Sequence, residues 1–367
     1  MKIKVTQDDI AKGINKVIAS VNPRSTLPIL SNILLETVGK DQLKIIGTDL
    51  EIGIINTIPA EVIEAGTITI PAKKINDIVR EAPEDDIEIS VNKNNSINIK
   101  SGKAFFKLMG LPRDDYPTFP QYSLESAMAI DQSILKECIT LTAFAISSDE
   151  TRYVLNGALV IIKNKTLKMI ATDGRRLAVI EKGINVTKDV NVEVIVPTKA
   201  FYELNKNIQT EGVVHVVELG NQIIFAVENV TIISRLIEGH FPNYEQVIPA
   251  EEKVIAKINR EKLLSTLRRV SLLTSLEAQA VKVDLLKGNK MIISARSPNI
   301  GESKEEIEVA LEKGEEITIG FNPAYLIDVL KNLDIEEIIF ALMSEDKPGI
   351  IRGKEGYIYV IMPMQIG

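Results

Sequence analysis

Few residues in this chain are placed to do chemistry, and the richest stretch is "LKMIATDGRRLAVI", residues 167 to 180. An Asp-Gly pair and the adjacent Arg175 and Arg176 stand there between two apolar runs. Three readings are open: an anion-binding catalytic loop, a plain β-hairpin, or a hairpin that exists to present something. Asp-Gly is a strong hairpin signal, because tight turns need residues that accept positive φ. Asp49, in "LKIIGTDLEI", holds the equivalent place in an earlier segment. Such carboxylates could act as acids or metal ligands, yet no second carboxylate accompanies either one at ligand spacing.

The other candidates are weaker. His215 sits in "VVHVV", where a structural strand histidine is expected, and His240 in "EGHFPNY" has no Cys or His neighbour at metal-ligand spacing. Cys138 falls in a helical apolar pattern, which favours a packed thiol over a nucleophile. "GIIRGKEG" imitates a phosphate loop, but Gly349 and Gly353 are wrongly spaced and neither Ser nor Thr follows Lys354. A turn between two strands is expected instead. No catalytic constellation, metal site or cofactor emerges from these residues.

The elements that position them repeat three times. Helix-like segments begin at Thr6, Asp131 and Asn259, and strand-like segments running into turns begin at Leu43, Leu167 and Met291. Then "TITIPAKKINDIV", "VEVIVPTKAFYEL" and "EITIGFNPAYLIDVL" each place a strand before a second helix. Pro71, Pro197 and Pro323 mark those junctions at a constant interval, each expected in the first turn of its helix. Prolines recur at the close of each unit. Three domains are expected, 1–122, 123–249 and 250–367, each with two helices and about eight strands. Turns such as "VNKNNS" and "VELGNQ" indicate antiparallel sheets, and so an α+β class.

Composition sets the outer limits. A chain of 367 residues, 45% apolar and 25% charged, is an ordinary multidomain globular protein. One cysteine excludes an intrachain disulfide and fits a reducing cytosol; the start has no apolar signal region, so a cytoplasmic location away from membranes is expected. A net charge of −7 argues against nucleic acid until the helices are taken alone. Residues 6–20, 72–82, 131–147, 198–208, 259–274 and 323–333 hold 13 basic and nine acidic side chains. The helices are thus basic and the remainder acidic. Two accounts fit: a surface for polyanions, or solvated faces built from good helix formers.

With this organisation in view, the whole chain closely resembles the bacterial sliding clamps, the β subunits of DNA polymerase III holoenzyme. The residues that carry the resemblance are "RSTLPILSNILLE" from Arg24, "RYVLNG" from Arg152, "ATDGRRLAV" from Ala171, "EGHFPNY" from Glu238 and "VIMPM" from Val360. It implies three repeated clamp domains, each with two helices on antiparallel sheets, and a head-to-tail homodimeric ring whose helices line a hole. Basic helices inside and acid outside would attract phosphates without reading bases, which permits sliding. The function implied is a non-enzymatic processivity factor that encircles duplex DNA without sequence preference and tethers polymerases and repair proteins.

Residues follow from the same resemblance. Arg24 and Arg152 match DNA-contacting loops, while Lys12, Lys73, Arg80, Lys199, Arg268 and Arg269 are candidates from the helix count. Ring closure would set Lys103, Phe106 and Leu108 at the edge of domain 1 against Leu272, Leu273, Glu302 and Glu305 of domain 3. A peptide pocket between domains 2 and 3 would use Leu155, then Thr172, Gly174, Arg175, Arg176 and Leu177 of the hairpin, and Pro242 and Val247 of a loop. Val360, Met362, Pro363 and Met364 would complete it, with Arg176 as the polar anchor. Expected partners are the clamp loader, the DNA polymerase III catalytic subunit, other polymerases and repair proteins carrying short motifs. The chain ends "MPMQIG", so Gln365, Ile366 and Gly367 depart from the family's Met-Pro-Met-Arg-Leu ending. Two rivals remain: a metal-dependent nucleic-acid enzyme using Asp49 and Asp173, and a monomeric scaffold that binds proteins and never DNA.

Overall fold

The computed structural model describes residues 1–186, 190–274 and 280–366; Gly367 lies outside the described residues. The first repeat runs β1 (Lys2–Thr6), α1 (Gln7–Val17), β2 (Asn32–Val38), β3 (Gln42–Thr48), β4 (Ile52–Pro59), β5 (Glu61–Glu64), β6 (Thr67–Pro71), α2 (Ala72–Arg80), β7 (Asp86–Val91), β8 (Ser96–Ser101) and β9 (Ala104–Met109). The second has β10 (Met128–Asp131), α3 (Gln132–Thr142), β11 (Gly157–Lys163), β12 (Thr166–Thr172), β13 (Arg176–Gly183), β14 (Asn191–Pro197), α4 (Thr198–Asn207), β15 (Val213–Leu219), β16 (Gln222–Val227) and β17 (Val230–Arg235). The third has β18 (Val254–Asn259), α5 (Arg260–Val270), β19 (Val281–Leu286), β20 (Lys290–Ser297), β21 (Gly301–Glu308), β22 (Ala310–Lys313), β23 (Ile317–Phe321), α6 (Pro323–Asn332), β24 (Glu337–Leu342), β25 (Gly349–Arg352) and β26 (Tyr357–Ile361).

Local chemistry explains the helix starts. The Thr6 side chain accepts from the Asp9 amide, Asn259 from Lys262 and Asn322 from Ala324, each satisfying a first-turn donor. Of the three junction prolines only Pro323 lies in the first turn of its helix; Pro71 and Pro197 instead close β6 and β14. Both of those strands lie at sheet edges, where a missing N–H breaks no ladder. Helix α1 buries Ile10, Ile14 and Val17 on one stripe, and α5 buries Leu263, Leu264, Leu267 and Val270. Each such side chain contributes about 2 kcal/mol. Helix α1 packs beside α2, and α5 beside α6.

The chain forms two compact units, Met1–Ser133 with Lys199–Leu236, and Ile134–Thr198 with Ile237–Gly367. In the first, one sheet has the order β5-β1-β7-β8-β9 and the other β10-β15-β16-β17-β4-β3-β2-β6. In the second, the orders are β14-β11-β12-β13-β26-β25-β24-β18-β22 and β21-β20-β19-β23. Neighbouring strands are antiparallel, as the turns in the sequence lead one to expect. Each long sheet fuses two repeats, so the second repeat is shared by both units. Strand β17 joins β4 from Ser234↔Ile52 to Val230↔Asn56, and β26 joins β13 from Ile361↔Arg176 to Tyr357↔Ile180. Ile52 and Arg176 both open their strands, as do Val230 and Tyr357. The two joints therefore share one register.

Candidate functional site

The Asp-Gly stretch is a hairpin turn between β12 and β13. Gly174 has φ of 84°, a conformation that costs a side-chain-free residue little. One Asp173 carboxylate oxygen accepts the amides of Arg175 at 2.9 Å and Arg176 at 3.0 Å. Asp49 does the same for Glu51 and Ile52, at 3.0 and 2.9 Å, and its other oxygen pairs with Lys199. Both carboxylates are committed to their turns. Among the described residues, no group of three or more His, Cys, Asp and Glu could hold a metal ion. Cys138 is buried, which pushes its thiol up to about 12 and keeps it protonated at neutral pH. His215 is half-buried in β15 and His240 is exposed in a loop.

Arg176, expected as the polar anchor for a peptide, is engaged within the protein. Its guanidinium donates to Asp173 at 3.0 Å, to Asp328 of α6 at 2.6 Å and to the Phe144 carbonyl at 2.7 Å. It also lies 4.5 Å from the Tyr325 ring centre and 5.6 Å from that of Phe144. Only 10% of the side chain is exposed. The residue braces the hairpin from within. Arg175 is the opposite case: exposed, with no hydrogen bond or ion pair to its guanidinium among the described residues. Sequence could not rank the pair, because Asp328 is 152 positions away.

The residues expected to form a pocket all belong to the second unit. Leu177 and Val360 face each other across the β13–β26 joint and belong to one buried cluster with Leu159 and Ile170. Leu155 is buried, Thr172, Pro363 and Met364 are half-buried, and Gly174 and Pro242 are exposed. Val247 and Met362 keep 45% and 40% of their surface open. The Met362 amide donates to the Arg175 carbonyl at 2.9 Å, which ties the last segment to the hairpin. Phe241 and Tyr244 pack against the cluster too, and sequence reading passed over them. Their signal was present: "FPNY" repeats the pattern of "YPTF" at residues 116–119.

Comparison with known proteins decides the family. Models of the DNA polymerase III beta subunit match the chain in succession: the N-terminal domain at residues 1–120, the central domain at 129–243 and the C-terminal domain at 245–365. The beta sliding clamp of Chlamydia pneumoniae is 32% identical over 366 residues, covering 100% of this chain and 99% of its own. That of Pseudomonas putida is 33% identical over 371 residues, covering 100% of both. The crystal structure of the DNA polymerase sliding clamp from Bacillus subtilis has a TM-score of 0.95 at 31% identity, with 100% of both chains covered. The chain belongs to the DNA polymerase III beta subunit family. These sliding clamps are non-catalytic processivity factors built from three repeated domains, and neither the metal-dependent enzyme nor the monomeric scaffold gains support.

Within this sliding clamp the basic candidates fall into two groups. Lys12 pairs with Asp8, Lys199 with Asp49, and Arg152 with Asp149 while also donating to the Asp173 carbonyl at 2.8 Å. Arg269 grips Glu305 through two nitrogens, so a residue expected on DNA and one expected at the dimer interface are spent on each other. That contact holds the Glu305 carboxyl below its ordinary range. Arg24, Lys73, Arg80 and Arg268 are exposed and have no carboxylate partner among the described residues. Of the interface candidates, Lys103 and Glu302 are exposed, and Leu272 is 76% exposed with Leu273 half-buried. On β9 the outward face carries Phe105, Lys107 and Met109, while Phe106 and Leu108 are half-buried on the other. No helix of the described residues is long and apolar enough to cross a membrane.

Proposed function

We propose that this sliding clamp closes as a head-to-tail homodimeric ring around duplex DNA and works in the cytoplasm as a processivity factor without a cofactor or activity of its own. The domains are 1–122, 123–249 and 250–367. One observation carries the reading: the two internal joints use the same pair of edges in the same register, and the third equivalent pair, β9 and β21, lies at sheet ends with no further strand among the described residues. By position in the repeat, β9 corresponds to β17 and β26, and β21 to β4 and β13. Carrying the register over sets Gly301 opposite Leu108 of a second copy, Glu302 opposite Lys107 and Ser303 opposite Phe106. That pairing places opposite charges face to face. It also brings Phe106 to the side of β21 where the Ser303 hydroxyl meets the Val270 carbonyl, just before Leu272 and Leu273. A contact between unlike surfaces propagates until it closes, and closure removes both exposed edges.

The pocket of the second unit would receive short linear peptides from the clamp loader, the DNA polymerase III catalytic subunit, other polymerases and repair proteins. Exposed methionine suits such a shared site, because it repacks readily around different side chains. Arg24, Lys73, Arg80 and Arg268 would meet phosphates without reading bases. The test is topological. Loaded by its clamp loader onto a nicked circle, the protein should stay bound through gel filtration and leave once the circle is cut. Retention on the linear product with free ends would sink the ring.

A further inference from the structure

Each repeat closes with the same stitch. Leu111, after β9, bridges Thr69 of β6; Ile237, after β17, bridges Ile195 of β14; Met364, after β26, bridges Gly320 of β23. Thr69 and Ile195 bring buried side chains to their bridges, whereas the third repeat has glycine. A Cβ at residue 320 would stand 2.5 Å from the Met364 carbonyl oxygen and 2.7 Å from Ile366 Cγ1. No real Cβ comes so close to a backbone oxygen, and no rotamer relieves it. Residues 364–366 therefore lie against bare backbone on the outer edge of β23. The Met364 amide donates to the Gly320 carbonyl at 2.8 Å, and the Met362 amide to the Arg175 carbonyl at 2.9 Å.

Strand β26 ends at Ile361, so beyond it these two hydrogen bonds, one to each side, and the seat of Ile366 on Gly320 set the course of the segment. The same segment supplies Met362, Pro363 and Met364 to the pocket. We infer that Gly320, outside the pocket and on another sheet, is a positioning residue for partner binding, with Ile366 as its counterpart. Gly320 leaves room for the segment, and Ile366 holds it down, so that the methionines stand placed before a peptide arrives. Fixing a surface in its bound form removes an ordering cost from association. The inference rests on the reading of this surface as a peptide pocket. It also gives the unusual ending a role: Gln365 is exposed, and Ile366 acts on the sheet edge.

The experiment compares the unaltered chain with Gly320→Ala and Ile366→Asp. One readout is hydrogen exchange of the segment spanning Met362 and Met364. The other is affinity for a fluorescein-labelled peptide of the final twenty residues of the cognate polymerase III catalytic subunit. In both variants the segment should exchange at least tenfold faster while β19 and β24 stay protected, and peptide affinity should fall at least tenfold. Dimer size should not change. Ile366→Asp leaves the sheet untouched, so it remains informative if Gly320→Ala misfolds. Unchanged exchange in both variants, or faster exchange at full affinity, overturns the positioning role. If the unaltered chain shows protected amides yet never binds the peptide, the pocket reading itself fails, and this inference falls with it.

Discussion

Arg175 and Arg176 are adjacent and chemically identical, yet burial assigns them different work. Removing Arg176 leaves Asp173 and Asp328 facing one another's field without their shared cation, beside two aromatic rings that lose their cover. Breaking a largely buried pair from one side costs about 3 kcal/mol. Arg176→Ala should therefore lower stability by about that much in a urea titration. Arg175→Ala should stay within about 0.5 kcal/mol of the unaltered chain, as exposed substitutions do, and should weaken peptide binding instead. Equal stability losses in the two variants would contradict the division. Single residues were legible where the cause is local: the Asp173-Gly174 turn, the packed Cys138 and the mimic phosphate loop all follow from near neighbours. The partner of Arg176 was not, because Asp328, Tyr325 and Phe144 arrive from distant segments.

At the scale of elements, periodicity was a reliable guide. The six helices lie inside the spans expected from their apolar stripes, since a stripe at helical spacing has only one way to bury itself on a sheet. What a single strand cannot reveal is which of its edges stays open. Strand β9 alternates outward Phe105, Lys107 and Met109 with inward Phe106 and Leu108, and that phase is set by pairing with β8. The register proposed for β9 against β21 makes a specific claim about charge. Lys107→Glu or Glu302→Lys alone should raise the dimer Kd roughly tenfold, from about 0.5–1 kcal/mol at each of two interfaces. The double reversal should restore it in analytical ultracentrifugation. Leu272→Ala with Leu273→Ala should shift the dimer toward monomer. A double reversal no better than the singles would reject the register.

For the whole molecule, the expectation concerns how its charge is spent. Counting basic residues on helices treats all of them as available, but Lys12, Lys199 and Arg269 already face carboxylates. Each phosphate contact adds about 0.9 to the slope of log affinity against log salt. Replacing Arg24, Lys73, Arg80 and Arg268 with Ala should flatten that slope for a short duplex by about three units or more. Replacing the three paired residues should flatten it far less. Equal effects would mean that the intramolecular pairs open on DNA. The sequence by itself determined the threefold repeat, the α+β class, the helix positions, the hairpins and, through its motifs, the family. These are properties of spacing along the chain, where local geometry acts. Only the tertiary structure decided which basic groups are free, that Arg176 is an internal brace, that both joints share a register, and that Gly320 makes room for residues 364–366. Those depend on contacts between residues far apart in sequence, and such contacts exist only once the sheets have closed on one another.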